Sequence, residues 1–401
     1  MRKVLFVDDD PNIVRGLKRM LHGMRHEWRV ECAVSGAEAL DRIAAEPFDV
    51  IVSDMKMAGM DGAELLARVR EIHPDSVRIV LSGHSERTAI LKSLGPSHQY
   101  LAKPCDADTL KQTLGRAFAL RQVPANEEMR RRVSQIDFLP GLDAPHRRLV
   151  EELASPSPRL PAVARILDQD IGMAANILRI TNSAYFGHFR PVQEVARAVT
   201  CLGLETIADL LRVPVFRPRR SPKEDPLLHD RLTRRSRAIA HHAREIARLE
   251  GADEQTTASA VQAGMLHAVG RLLLATIDPD GFERTARGAA QRGVSLHEVQ
   301  KEAYGATEAG LGAYLIGLWG LPSAVVEAVA FQADPTGSPV RPVGALTFLH
   351  AARALASEAD PEDPAPVRLD EEYFADLGLQ HRVEAWRGAC PRAAAQAGSE
   401  P

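Results

Sequence analysis

Cysteine is scarce in this chain: Cys32, Cys105, Cys201 and Cys390 are the only four, far apart and without a CxxC pair. That spacing excludes a disulfide-built secreted scaffold and disfavours cysteine as a metal ligand, whereas reduced thiols in a cytosol fit it. An excess of charge of either sign is also missing, the formal net charge being -3, which argues against a general nucleic-acid binder. No apolar run reaches the roughly 18 residues that a membrane span needs. The opening MRKVLFVDDD turns acidic at once, so neither a secretory leader nor a membrane contact is expected and the chain is read as cytoplasmic. What remains is ordinary globular composition, 45% hydrophobic and 26% charged, over 401 residues. That length suits two domains with a small extension.

In the first 120 residues, short apolar runs (Val4 to Val7, Val30 to Val34, Val50 to Val52, Ile79 to Leu81, Tyr100 to Ala102) are separated by stretches long enough for helices. Ile13, Leu17, Met20, Leu21 and Met24, and later Leu65, Leu66, Val69 and Ile72, keep helical spacing. Alternating strands and helices of this kind predict an α/β doubly wound parallel five-stranded sheet, with function at the carboxyl ends of the strands. Polar residues collect there: Asp8, Asp9 and Asp10 after the first strand, Asp54 after the third, Ser82 after the fourth and Lys103 after the fifth. Carboxylates brought together repel one another, and a hard divalent cation with oxygen ligands relieves that; Mg²⁺ suits phosphate chemistry. A carboxylate flanked by Mg²⁺ and an ammonium is well placed to accept a phosphoryl group, which makes Asp54 the candidate nucleophile. Asp10, before Pro11, is better read as a helix cap.

The segments VLFVDDD, IVSDMKMAGMDG, IVLSG and YLAKP resemble a response-regulator receiver domain over residues 1–122. The resemblance implies that Asp8 and Asp9 form the acidic metal-site pair, that Asp54 is the phosphoacceptor, and that the backbone carbonyl of Lys56 is a further Mg²⁺ ligand. It implies that Ser82 binds the phosphoryl oxygen, that Tyr100 is the switch aromatic, and that Lys103 is the family's lysine, preceding a cis proline at Pro104. A sensor histidine kinase or phosphotransfer protein is the implied partner. One departure stands out: the proline usual after DxxM is Ala58. The side chain of Lys56, two residues past the acceptor, is a candidate for tuning the lifetime of the aspartyl phosphate, with a solvated lysine as the plain alternative.

Residues 123–136, punctuated by Pro124 and followed by Pro140 and Gly141, read as a helical linker whose basic run Arg130 to Arg132 is a solvated face. From Leu149 onward the periodicity is helical: AVARILDQD, MAANILRITNSAYFG, EVARAVTCLG, ETIADLLRV, RSRAIAHHAREIARL, ASAVQAGMLHAVGRLLLATI, LGAYLIGLWGLP and SAVVEAVAFQADP. Helices joined by Pro and Gly turns predict an all-α helical bundle domain. His241 and His242, adjacent on a helix, point about 100° apart, so at most one faces the core. Tyr185, Phe186, Phe189 and Trp319 are read as packing residues. The basic stretch Arg212 to Arg237 holds nine Arg and Lys against three Asp and Glu; without interleaved aromatics it reads as a solvated loop.

The order of LASPSPRLPAVARILDQDIGMAANILRITNSAYFG, ARAVTCLG, AGMLHAVGRLLL and GAYLIGLWGLP over residues 137–345 is similar to the HDOD family, helical output domains related to HD phosphohydrolases but generally lacking their complete metal site. His267 stands at the histidine of the HD pair, while Ala268 occupies the aspartate position. Arg235 falls where an HD enzyme would begin its site, Glu308 where related sequences can have histidine, and Gln332 and Ala333 where a histidine pair is expected. An open metal site needs several His and Asp ligands, so no metal is expected in this module and His267 is read as a core histidine. Residues 346–401 are expected to form a helical extension with a fraying tail.

These readings give a phosphorelay response regulator with a noncatalytic output domain acting on an unidentified downstream protein, and with homodimerisation left open. An HD-type metal-dependent phosphohydrolase or phosphodiesterase is the alternative, and a DNA-binding regulator a more distant one.

Overall fold

The computed structural model describes residues 1–83, 94–120, 126–182, 192–212, 226–339, 341–360 and 365–390. Tyr185, Phe186, Phe189, residues 213–225 of the basic stretch and the C-terminal tail lie outside them.

The N-terminal region is the expected five-stranded sheet: β1 (Arg2–Val7), β2 (Trp28–Ala33), β3 (Val50–Asp54), β4 (Val77–Ser82) and β5 (Gln99–Ala102), all parallel in the order β2-β1-β3-β4-β5. Strand order reverses between β1 and β3, and a crevice opens beyond the carboxyl ends of the strands at such a point. β3 is buried along its whole length, as a strand covered on both faces should be. Valines and leucines of alternate strand positions split into two cores, one holding Val4, Phe6, Val50 and Ile79, the other Leu5, Val7, Ile51 and Val80. Asp10 is the expected cap, its carboxylate accepting from Asn12 N at 2.8 Å.

The remainder is all-helical. EVARAVTCLG and ETIADLLRV are two helices within Val195–Arg212, as expected, separated at Gly203, whose φ of 75 suits a residue without Cβ. One expectation about the helices shifts. ASAVQAGMLHAVGRLLLATI is instead two helices, Glu254–Leu266 and Val269–Ile277, broken at His267 and Ala268. The break has a packing cause. A Cβ at Gly270 would lie 1.7 Å from the Glu308 carbonyl, so helix Val269–Ile277 turns to lie backbone-to-backbone on helix Glu308–Leu318. Together Glu254–Ile277 is apolar and long enough to cross a membrane, with mean hydropathy 1.4, contrary to the expectation that no such stretch exists; Arg271 had interrupted the run. Of that window 89% is buried in the protein, so its apolarity builds the core.

His242 is buried and His241 exposed, as helical geometry requires. Helix Ala345–Ala359, at the boundary drawn at 345, is buried along most of its length in the main core. The extension packs onto it: Phe374 stacks on His350 at 5.6 Å and meets Trp386 at 5.2 Å, and Trp386 donates to Glu250 Oε1 at 2.7 Å.

The two regions share one continuous core, in which Leu114, Phe118 and Leu120 of the sheet domain join Leu311, Tyr314 and Leu318 of the bundle. Helix Glu308–Leu318 therefore lies directly on the receiver-side helix Ala107–Leu120 and the β5 edge.

Candidate functional site

The crevice beyond β1, β3 and β5 brings together Asp8, Asp54 and Lys103 of the residues that sequence pattern had placed there. Lys103 Nζ sits between two carboxylates, donating to Asp8 Oδ2 at 2.7 Å and to Asp54 Oδ1. Asp54 ends β3 and is 8% exposed; the Lys56 N–H donates to its Oδ2 at 2.9 Å. Burial pushes the Asp54 carboxyl above its ordinary value, with Lys103 pulling the other way. Burial would depress Lys103, but hydrogen bonds and charge from Asp54 and Asp8 outweigh it and hold the ammonium above its usual range. The peptide Lys103-Pro104 is cis, as anticipated.

The acceptor loop is held tightly against the next helix. Gly62 N donates to Met55 O at 3.0 Å, and a Cβ at Gly62 would lie 2.1 Å from the Asp54 carbonyl, so only glycine lets helix Gly62–Ile72 start this close. Asp9 is turned aside, its Oδ2 accepting from Ala58 N at 3.0 Å. The proline usual at that position has no N–H to give, so this contact follows from the chain's departure from the pattern.

Asp8, Asp9, Asp54 and the Lys56 carbonyl are all hard oxygen donors and fit Mg²⁺ by chemistry. They are not preassembled: among the described residues no group of three or more His, Cys, Asp or Glu is gathered to hold a metal ion. Lys103 fills the space between Asp8 and Asp54, and Ala58 holds Asp9. Ser82 ends β4, but its side chain lies outside the described residues. Tyr100, on β5, is 8% exposed, packs with Met55, Met57 and Val80, and lines a cleft of about 490 Å³ between the two regions.

Sequence reasoning missed two arginines at this junction. Arg78, on β4, is fully buried and donates to the carbonyls of Pro74, Ser76, Pro96 and Ser134 at 2.9, 3.2, 2.6 and 3.0 Å. Arg179, on helix Ile171–Thr181, donates to Ser97 O at 2.7 Å, Leu94 O at 3.2 Å and Asp137 O, and its guanidinium lies 4.9 Å from the Trp319 ring. Burial brings them down to about 9 and about 10, so both stay charged at neutral pH. The available signal was a single charge inside an apolar run, VRIVLS and MAANILRIT; such a charge is either an error of pattern or a buried anchor.

In the bundle, the degenerate HD positions come together too. Gln332 Nε2 donates to His267 O at 3.0 Å, and Arg271, one turn on, pairs with Glu308 at 3.5 Å. Ala268 starts the next helix.

Comparison with known proteins agrees with this geometry. The response regulator receiver domain model matches residues 4–115, and the HDOD domain model matches residues 139–335. This chain is a receiver joined to an HDOD domain. The chain is 32% identical over 127 residues to the hydrogenase transcriptional regulatory protein HoxA of Bradyrhizobium diazoefficiens, covering 31% of this chain and 26% of that protein. It is 34% identical over 128 residues to the transcriptional regulatory protein GlrR of Escherichia coli K12, covering 31% and 28%. It thus spans about a quarter of the length of the curated relatives it matches. Among solved structures, the receiver domain of an HD domain-containing protein from Pseudomonas fluorescens Pf-5 is 29% identical over 29% of this chain and 94% of that one, with TM-score 0.28. The MmoQ response regulator from Methylococcus capsulatus Bath is 23% identical over 62% and 98%, with TM-score 0.46.

Proposed function

We propose that Asp54 accepts a phosphoryl group from a sensor histidine kinase or phosphotransfer protein, and that the phosphorylation state controls a noncatalytic HDOD domain working through protein contacts in the cytoplasm. The observation that carries this is Lys103 Nζ shared between Asp8 and Asp54 at the sheet's switch point. Mg²⁺ held by Asp8, Asp9, Asp54 and the Lys56 carbonyl would neutralise charge on the transferring phosphoryl group. An Asp54 oxygen attacks phosphorus, and the bond from phosphorus to the donor imidazole breaks with its electron pair returning to nitrogen. Lys103 then exchanges the Asp54 carboxylate for a phosphoryl oxygen, as the ammonium nearest the acceptor. The product adds about two negative charges, and Ser82 and Lys103 are drawn toward them.

Readout runs along β5. Tyr100 lies between the receiver core and the cleft, which gives it room to reorient, and its neighbour Gln99 donates to Gly317 O at 3.2 Å in the HDOD domain. A shift of this strand is felt directly by helix Glu308–Leu318. The noncatalytic reading is supported by Ala268 at the aspartate of the HD pair and by Arg235, Gln332 and Ala333 at other positions where metal ligands are expected.

The test uses the full chain with a small phosphodonor and Mg²⁺. A phosphoryl adduct forms on wild type and not on Asp54→Asn, and the set of captured partners changes with it. Stoichiometric metal in the HDOD domain, with phosphoester turnover lost in His267→Ala, would overturn the noncatalytic reading.

A further inference from the structure

The receiver and the HDOD domain touch closely at one place and leave a cavity beside it. A Cβ at Gly317 would lie 2.5 Å from Leu120 Cδ2, and one at Gly320, whose φ is 76, would lie 3.2 Å from Gln99 Cγ. Two glycines thus bring the turn that carries Trp319 onto β5 and helix Ala107–Leu120. Next to this closed end lies the cleft of about 490 Å³ that Tyr100 lines. Packed interiors leave few voids larger than a water molecule, so a space of this size is a feature of the junction. Sites for small organic ligands span about 300 to 1,000 Å³ and favour such junctions.

Leu94, Leu101, Leu120, Ile180, Leu321 and Val326 make the walls largely apolar. The polar groups among them are unevenly used. Thr113 and Arg116, one turn apart on helix Ala107–Leu120, both line the cleft; Arg116 is exposed and has neither an ion pair nor a hydrogen bond among the described residues. Trp319 is 2% exposed, and its indole N–H is buried without an acceptor among the described residues, so this wall is not complete in itself. Arg179 brings a second guanidinium, its N–H groups given to the neutral carbonyls of Leu94, Ser97 and Asp137. Glu327 is the acid on the lining, and its carboxylate already accepts from the Ser338 hydroxyl. Two guanidiniums against one carboxylate leave the cavity with a positive balance.

We propose that this cleft binds a small amphipathic carboxylate, its apolar body against the leucines and its head held by Arg116 and the Thr113 hydroxyl at the mouth. One exposed guanidinium fork matches one planar carboxylate, whereas a phosphate dianion would set a second charge against Glu327. An apolar body removes the leucine walls from water, which supplies most of the affinity. Because Tyr100 and Gln99 form part of the same lining, occupancy and the arrangement of β5 are linked, and phosphorylation and ligand change each other's equilibrium by the same factor. That linkage alone rests on the phosphorylation proposed above; the site does not.

The test is calorimetric titration of the full chain with octanoate and 4-phenylbutyrate, with acetate as a head without a body and 1-octanol as a body without a charge. Wild type and Asp54→Asn are expected to bind one octanoate or phenylbutyrate per chain, and acetate and octanol at least about tenfold more weakly. Arg116→Gln, at an exposed position, should weaken the acids by roughly tenfold and leave octanol unchanged. Ala330→Trp, which fills the cleft from the HDOD side, should abolish binding, with melting curves confirming that both variants fold. Tighter binding of octanoate assigns the site to aliphatic acids, and tighter binding of phenylbutyrate to aromatic ones. Absence of binding by both acids, octanol binding as tightly as octanoate, or binding indifferent to Arg116→Gln or to Ala330→Trp overturns the proposal. An octanoate affinity unchanged by a small phosphodonor with Mg²⁺, in protein shown to carry the phosphoryl group, overturns the linkage and not the site.

Discussion

The crevice at Asp54 and the surroundings of His267 differ in charge. The first sets carboxylates at strand ends around one lysine; the second holds a buried histidine kept neutral by burial and by the charges of Arg353, Arg235 and Arg271, with Arg271 paired to Glu308. A carboxylate crevice invites a cation and can then receive a phosphoryl group, whereas arginines near a neutral histidine disfavour a cation there. Under the function proposed above, phosphoryl acceptance belongs to the receiver and protein contacts to the HDOD domain.

Substitutions can break this contrast. The largest effect is expected for Asp54→Asn, which removes the acceptor oxygen and should abolish phosphoryl incorporation from a small donor, read by intact-protein mass. Next is Arg179→Met. It orphans the carbonyls of Leu94, Ser97 and Asp137 at the junction, and should cost about 3 kcal/mol in urea unfolding and split one transition into two as the regions uncouple.

The receiver site was legible because strand ends are regular. An apolar run of three or four residues followed by Asp, Ser or Lys fixes where the side chain emerges, and four such ends, those of β1, β3, β4 and β5, lie at one edge of the parallel sheet by topology alone. The break at His267, the burial of Arg78 and the anchoring by Arg179 were not legible, because each depends on partners distant in sequence: Glu308 against Gly270, Ser134 against Arg78, Ser97 against Arg179. Helical periodicity locates a buried face but not what meets it. For the same reason the sequence showed what the HD position lacks but not that Gln332 ties the His267 carbonyl to Arg353.

A third expectation concerns pH. Protonation of Asp54 removes the nucleophile, so the rate of acceptance should fall as pH drops, with a midpoint above the ordinary carboxylate value because burial raises this group. Its sign in stability follows: a raised acid weakens the fold as pH climbs from the unfolded value through the folded one. Lys103→Met should move the rate midpoint further upward, since the ammonium is what holds it down, and should slow acceptance at every pH. His267→Ala sharpens the contrast from the other side: a stability loss of about 1 to 2 kcal/mol with acceptance at Asp54 unchanged. The smallest effect is expected for Ala58→Pro, which deletes the N–H that holds Asp9 and should tighten Mg²⁺ binding by a few-fold at most, read by calorimetry.

Hydrogen exchange of the full chain, with Mg²⁺ and with or without a phosphodonor, tests the central claim most directly. The account predicts that phosphorylation changes exchange in β5 and in residues 314–320 together, in wild type and not in Asp54→Asn. Phosphorylated protein whose exchange changes only around Asp54, with residues 314–320 unmoved, would contradict it.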